Sequence, residues 1–445
     1  MTVRIVTAPD LYDSAYLRHH VGDAGEPLRR WCAALTGAWK RGWGSVKVYA
    51  PDVMELIADS RVLYVAAHEL RKKGSRGTVP GDIRLERLSD QDIRTLCEVL
   101  GGLIATETYR PGVEERIRIP KPSGKTRTIL LTSWSDRIVQ KAASLVLRPM
   151  LDPLFDPRSF ASRPKRKLEE AIAVARTLTR NGHPIWLAHD IADAYGSVGV
   201  ERLLDVFFKL LPCRRLRDLL GLVLPPRTRG IGGIKQGGPL SPLALEVYLN
   251  HFLDKPFRKA GFGVCLVRYV DDLLVPCPNS EVAGEVDRWL RRQLEPAGMA
   301  LKANFAEAQH DLRVESAEWL GFRCNLKGDR FGIRLGVGAF DGLGQSFLRS
   351  HAKGQPAANA ARVANLWTGR LGPCHRWEDR DAVCDRIEAT ARRYDFEESI
   401  CKGDMLEAWS TSKAAWKQTL VSVKKRPAFF DPNPVAIPTP TSVIA

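Results

Sequence analysis

No C-x-x-C pair occurs in the chain, and its nine cysteines are an odd number scattered singly. That argues against a disulfide framework and for reduced thiols in the cytoplasm. Cys374, His375, Cys384 and Cys401 share one C-terminal region, yet their spacing fits no common zinc pattern. Long apolar runs are missing too: no window approaches the roughly 18 apolar residues a membrane span needs. The opening MTVRIVTAPDLYDS lacks the charged start and apolar stretch of a signal peptide. Acidic residues are in short supply. Against 67 Lys and Arg stand 51 Asp and Glu, a net charge of +16. A surplus of that size favours a polyanionic partner, because each phosphate neutralised releases condensed counterions.

What is present is an ordinary globular balance, 44% hydrophobic and 27% charged over 445 residues, enough for a large core. Residues 1–80 read as mixed helix and loop. SDQDIRTLCEVLGGLI begins with a Ser cap and then repeats apolar residues at helical spacing. RIRIPKPSGKTRTILL reads as a hairpin with a basic tip. SDRIVQKAASLVLRPML is a helix with Ile138, Ala142, Leu145 and Val146 on one face, and 168–180 is another, closed by Asn181-Gly182. PIWLAHD is a short apolar strand that delivers Asp190 at its end. The Gly- and Arg-rich PPRTRGIGGIKQGG leads into the helix SPLALEVYLNHFLDKPF, where Ser241 is expected to cap and Pro242 to occupy the first turn. LVRYVDDLLVPC reads as strand, tight turn, strand, and AEWLGFRCN as a strand entering a turn. Several helices follow over 355–425, and the tail from Pro427 is Pro-rich.

Turn chemistry explains one aspartate of the pair Asp271-Asp272, not both. Two carboxylates that close repel, and holding both ionised beside an apolar strand is costly without a cation between them. Asp190 ends another apolar strand, and the intervening α/β pattern lets both strand ends meet in one sheet. Oxygen ligands with room for water and phosphate suit Mg²⁺. Paired ions of that kind stabilise the attacking and leaving oxygens of a phosphoryl displacement. Tyr195, in HDIADAYGSV, places an aromatic ring where it would fill the space of a ribose 2′-hydroxyl and favour deoxynucleotides.

DIADAY, KQGGPLSPLALEVYL, YVDD and EWLGF, in that order, resemble the successive palm motifs of reverse transcriptases. Upstream, TYRPGVEERIRIPKPSGKTRTILLTSWSDRIVQKAASLVL resembles the fingers of the group II intron lineage. The similarity spans about residues 60–325. It implies an α+β right-hand polymerase whose palm carries an antiparallel sheet. The parts would be an N-terminal extension over 1–85, fingers with part of the palm over 86–185 and palm over 186–330. A helical thumb or C-terminal region would follow over 331–426 and a Pro-rich tail over 427–445.

The resemblance assigns catalysis to Asp190, Asp271 and Asp272, and metal binding to these with the carbonyl of Ile191. It places Lys121, Lys125, Arg127, Asp193, Ala194, Tyr195, Gln236 and Gly237 around the nucleotide, and Trp319, Leu320 and Gly321 at the primer grip. The implied cofactor is Mg²⁺, two ions, with Mn²⁺ as a substitute. The implied partners are an RNA template, a DNA primer or product, and dNTPs, with room for a homo-oligomer. Free-standing bacterial enzymes of this shape resemble the reverse transcriptases of antiphage defence, which pair with a dedicated noncoding RNA. An intron maturase without a nuclease, a CRISPR-associated polymerase and a non-catalytic RNA-binding splicing protein are the alternatives. The sequence departs from the family in three places. Phe305 stands where a lysine is expected seven residues after Gly298, with Lys302 off that register; ASRPK replaces GFRPG; and Gly196 follows the gate in place of an aromatic.

Overall fold

The computed structural model describes residues 19–433 apart from 73–78, 80, 83, 121–125 and 353. Most of the sequence before residue 73 that reads as mixed helix and loop is helical: Glu26–Arg41, Trp43–Lys47, Asp52–Ala58 and Ser60–Lys72. Leu28, Trp31, Cys32, Leu35, Ala38 and Trp39 form the buried stripe of the first of these. They share one core with helices Asp90–Ala105 and Trp134–Leu151. The indole N–H groups of Trp31 and Trp39 donate to the carbonyls of Val146 and Pro149, at 2.9 and 3.1 Å. Directional bonds as well as apolar burial therefore dock the extension on helix Trp134–Leu151. Ser89 caps Asp90–Ala105 through the amide of Asp92, in a complete capping box.

The described strands form three antiparallel sheets, in keeping with the α+β expectation. A hairpin joins β1 (Glu114–Pro120) to β2 (Thr126–Thr132). The central sheet has β3 (Ile185–Asp190), β4 (Val267–Tyr269), β5 (Asp272–Cys277) and β6 (Gln309–Asp311) in the order β4-β5-β3-β6. The third holds β7 (Ala317–Trp319), β8 (Phe322–Lys327) and β9 (Arg330–Leu335). Trp186 and Leu274 enter one core with helix Leu168–Arg180, whereas Leu187, Leu273 and Val275 enter another with helix Ser280–Leu294. The central strands are covered on both faces, which is why they read as continuous apolar runs and not as alternation.

Helix Lys402–Lys424 connects two cores: Met405 and Trp409 pack among the C-terminal helices, Trp416 and Val423 against the sheet side. One local expectation fails. Ser241 is the first residue of helix Ser241–Leu249 and makes no capping bond; its hydroxyl is buried without a partner beside Gly238. Leu240, the residue before it, already has helical backbone angles, so the turn leaves no extended residue for a hydroxyl cap.

Candidate active site

The site starts from the hairpin β4–β5. Tyr269 pairs with Asp272, so Val270 and Asp271 form a two-residue turn. Val270 takes φ +60°, a costly left-handed conformation for a β-branched residue. The turn therefore begins one residue earlier than turn propensity suggests, and Asp272 belongs to the strand. Two bonds hold the strained turn: Arg268 donates to the Val270 carbonyl at 3.0 Å, and the Ile191 amide donates to the Asp271 carbonyl at 3.1 Å. Arg268 is fully buried and itself fixed by Glu246 (3.0 Å) and Asp254 (2.6 Å). A π-helical turn, Asn250–Asp254, ends at that second partner.

Strand register places Asp190 directly opposite Asp272. The segment after Gly298 closes the same end of the sheet: the Ala192 amide donates to Ala300 at 2.7 Å, and the Lys302 amide to the Asp190 carbonyl at 2.9 Å. Lys302 Nζ thereby lies 2.5 Å from Asp190 Oδ1. That oxygen is buried and has no well-aligned hydrogen bond. Burial, followed by the nearby charges of Asp190 and Asp271, pushes the Asp272 carboxyl up to about 7, against the opposing pull of Lys302. Asp287 ties the pieces together. It accepts from Arg291 at 2.9 Å and lies 2.8 Å from His189 Nε2, while Arg291 also donates to the Ala303 carbonyl.

Among the described residues no three acidic, His or Cys side chains converge closely enough to cage a metal by themselves. Opposed carboxylates, a proton-hungry Asp272 and an Asp190 oxygen already met by the ammonium of Lys302 fit a hard cation that keeps water and substrate oxygens in its shell. Lys302 reaches the carboxylates, whereas Phe305 opens the short helix Phe305–Ala308 and packs into the main core.

The turn after Asp190 carries three of the residues expected around a nucleotide. Asp193 is exposed with φ +42°, Ala194 is buried, and Tyr195 is half-buried. The Ile234 amide donates to the Tyr195 carbonyl at 2.9 Å. Gly233, φ +71°, lies so close to that carbonyl and to Gly196 that a Cβ there would overlap them. Gly196 has its own reason: the Asp193 carboxylate folds over it and occupies the place of a Cβ. The missing aromatic after the gate is thus matched by a local Asp193 contact.

Gly237, φ +105°, faces Ile129 of β2, and Gly238 lies against the buried amide of Gln140. Gln236 is half-buried on the same turn. Two residues missed from sequence fasten this loop to strand β1: Lys235 and Glu114, their side chains both buried, ion-paired at 2.7 Å. Glu114 also accepts from the Arg227 amide at 2.8 Å. Lys121 and Lys125 lie outside the described residues, and of Arg127 only the backbone is described, in β2 opposite Ile119.

Trp319 is core: it is buried and packs edge-on against Trp186, ring centroids 6.4 Å apart. The turn Leu320-Gly321, with φ +51° and +79°, follows between the paired ends Trp319 and Phe322. Left-handed non-glycine residues thus occur at Asp193, Val270 and Leu320, one in each of three motifs singled out from sequence.

The family described as reverse transcriptase (RNA-dependent DNA polymerase) matches residues 119–324. Protein YkfC of Escherichia coli (strain K12) is 27% identical over 166 residues, which cover 35% of this chain and 44% of that protein. The group II intron-encoded protein LtrA of Lactococcus lactis subsp. cremoris is 26% identical over 205 residues, 44% of this chain and 33% of that one. The chain therefore spans less than half the length of either relative. Among solved structures, a partial Cas6-RT-Cas1–Cas2 complex aligns at 19% identity over 55% of this chain and 41% of that chain, TM-score 0.33. A telomerase from Candida tropicalis in complex with a TWJ fragment of telomeric RNA aligns at 11% identity over 78% and 70%, TM-score 0.40. At such scores the overlays add nothing to the assignment. Residues 119–324 match the reverse transcriptase family, and part of the chain is similar to a group II intron-encoded protein.

Proposed function

We propose that this protein is an RNA-templated DNA polymerase that takes dNTPs, uses two Mg²⁺ ions, and works with a structured noncoding RNA in bacterial antiphage defence. The observation that carries the polymerase reading is the register that opposes Asp190 to Asp272 at the strained Val270-Asp271 turn. The basic surplus of +16, with the family match, supports a nucleic-acid partner. In this reading the fingers take 86–185, the palm 186–330 and the thumb 331–426.

Asp190, Asp271 and Asp272, with the Ile191 carbonyl, would hold the ions. Bound there, Mg²⁺ supplies charge stabilisation to the attacking and leaving oxygens of a phosphoryl displacement. The chain's own residues position the rest. Tyr195, fixed through its carbonyl by Ile234 and Gly233, stands where a 2′-hydroxyl would have to fit. Asp193 and Ala194 border the sugar and triphosphate, with Lys121, Lys125 and Arg127 reaching from the fingers. The Gln236-Gly237 turn backs the nascent pair, and Leu320-Gly321 the primer end. Lys302 keeps a cation beside Asp190 before metal arrives.

The decisive assay is extension of a DNA primer on an RNA template by the purified chain. Metal-dependent dNTP incorporation, abolished in Asp271→Asn/Asp272→Asn, is the expected result. Equal use of NTPs would replace this reading with an RNA polymerase, and RNA binding without any incorporation would favour a splicing protein. Sequencing the RNA that copurifies addresses the defence role: one dominant structured species is expected, and intron RNA would point to a maturase.

A further inference from the structure

A second basic opening lies at the junction of the central sheet's flank and the C-terminal helices. It is a cavity of about 540 Å³, within the range that holds a small ligand or a short chain segment. Its cations come from separate parts of the chain: Arg176 and Arg180 on helix Leu168–Arg180, Arg330 on β9, Arg376, and Lys417 on helix Lys402–Lys424. Among the described residues lining it Asp329 is the single carboxylate, and none of the five cations forms an ion pair. Arg180 spends its Nε donor on the Asp329 carbonyl, at 3.1 Å.

The cavity's cations are half-buried (Arg176) or exposed, whereas the fully buried arginines among the described residues are paired. Arg158, Arg163 and Arg268 each have a carboxylate within 3.0 Å. At the cavity, half-buried Arg176 instead has Arg180 and Arg376 as its nearest charges, and burial followed by their repulsion lowers its hold on its proton. Gathered like charges raise the energy of the folded state unless an anion joins them. Aromatic rings line the same space: Trp416 and Phe331 are buried, and Trp377 is half-buried beside Arg376. This is not the catalytic mouth. Helix Leu168–Arg180 leads into β3 at Ile185, and Asp190 lies five residues further, about 17 Å along the strand.

We propose that this cavity binds the phosphodiester backbone of a single-stranded nucleic-acid segment, the arginines taking phosphates and Trp377 offering a ring on which a base stacks. The source of that strand rests on the polymerase reading; the binding chemistry does not.

The test uses the full chain and an exposed-surface variant, Arg180→Gln/Arg376→Gln/Lys417→Gln, with Trp377→Leu as a second variant. Labelled oligo(rU) is titrated by fluorescence anisotropy at several salt concentrations. Primer extension on a short preformed template–primer duplex is followed in parallel, and thermal melts check the fold. The triple variant is expected to lose about tenfold in affinity and to flatten the log K against log salt slope by about 2. Trp377→Leu is expected to lose about fivefold or more. Extension of the short duplex stays unchanged in both. Wild-type affinity and slope in the triple variant would overturn the proposal, as would full competition by a mononucleotide at equal concentration, which would make this a nucleotide site. Should the wild type incorporate no dNTP while the variants still lose oligo(rU), the polymerase reading falls and this one stands.

Discussion

Two neighbouring parts of one hairpin treat negative charge in opposite ways. Beside the tip, at Arg268 of β4, Glu246 and Asp254 are buried against the guanidinium, which meets both at 2.6–3.1 Å. At the tip itself, Asp272 faces Asp190 with Asp271 alongside, and the nearby ammonium of Lys302 comes from a different segment. In the first arrangement one guanidinium meets both carboxylates directly, and Ser159 donates to Glu246 as well. The second leaves repulsion that a proton or a cation can relieve, and it is held in place by the first, through the Arg268 bond to the Val270 carbonyl. Crowded carboxylates mark the candidate site, guanidinium-bound ones the scaffold.

Removing charge at the tip should have the largest effect on activity and little on folding. Asp271→Asn/Asp272→Asn is expected to lower dNTP incorporation by at least about 10³-fold, several kcal/mol of charge stabilisation. Its urea midpoint should match or exceed that of the wild type, because like-charge repulsion is gone. Arg268→Met inverts the pattern. Stranding two buried carboxylates should cost about 3–5 kcal/mol in urea unfolding, and a loss under about 1 kcal/mol would contradict the scaffold role.

A smaller effect is expected with pH. The Asp272 pKa is raised in the folded state, so between about 4 and 7 the folded chain holds a proton that the unfolded chain releases. The stability this gives to metal-free protein is full below the unfolded value and fades as pH rises through about 7. Asp272→Asn should flatten that decline in melts recorded with chelator, and an unchanged slope would reject the assignment. Smallest is Lys302→Met. With the competing ammonium removed, half-saturating Mn²⁺ well above pH 7 should fall by about threefold, equivalent to the loss of one screened charge pair.

Much of the central architecture was readable from periodicity and end signals. The helix over 168–180, the apolar strand ending at Asp190, the hairpin around Pro122-Ser123-Gly124 and the Ser89 cap all follow local rules, and each has its expected element. The carboxylates were legible because two acids in an apolar run conflict with burial whatever the fold. Long-range pairings left no such trace. Nothing local ties Lys235 to Glu114, or the segment around Lys302 to Asp190, since both contacts exist only once distant elements meet. Trp319 was ambiguous for the same reason: whether a strand-end tryptophan faces a primer or a core depends on Trp186, far earlier in the chain. Ser241 misled because a helix-start pattern cannot show that the preceding residue already has helical backbone angles.

Binding of Mn²⁺, followed by the electron paramagnetic resonance of the free ion in the presence of primer, RNA template and dNTP, reads the opposed carboxylates most directly. Saturable uptake by the wild type, releasing protons near pH 7 and lost in Asp271→Asn/Asp272→Asn, is the predicted result. Equal uptake by the two proteins would contradict the account.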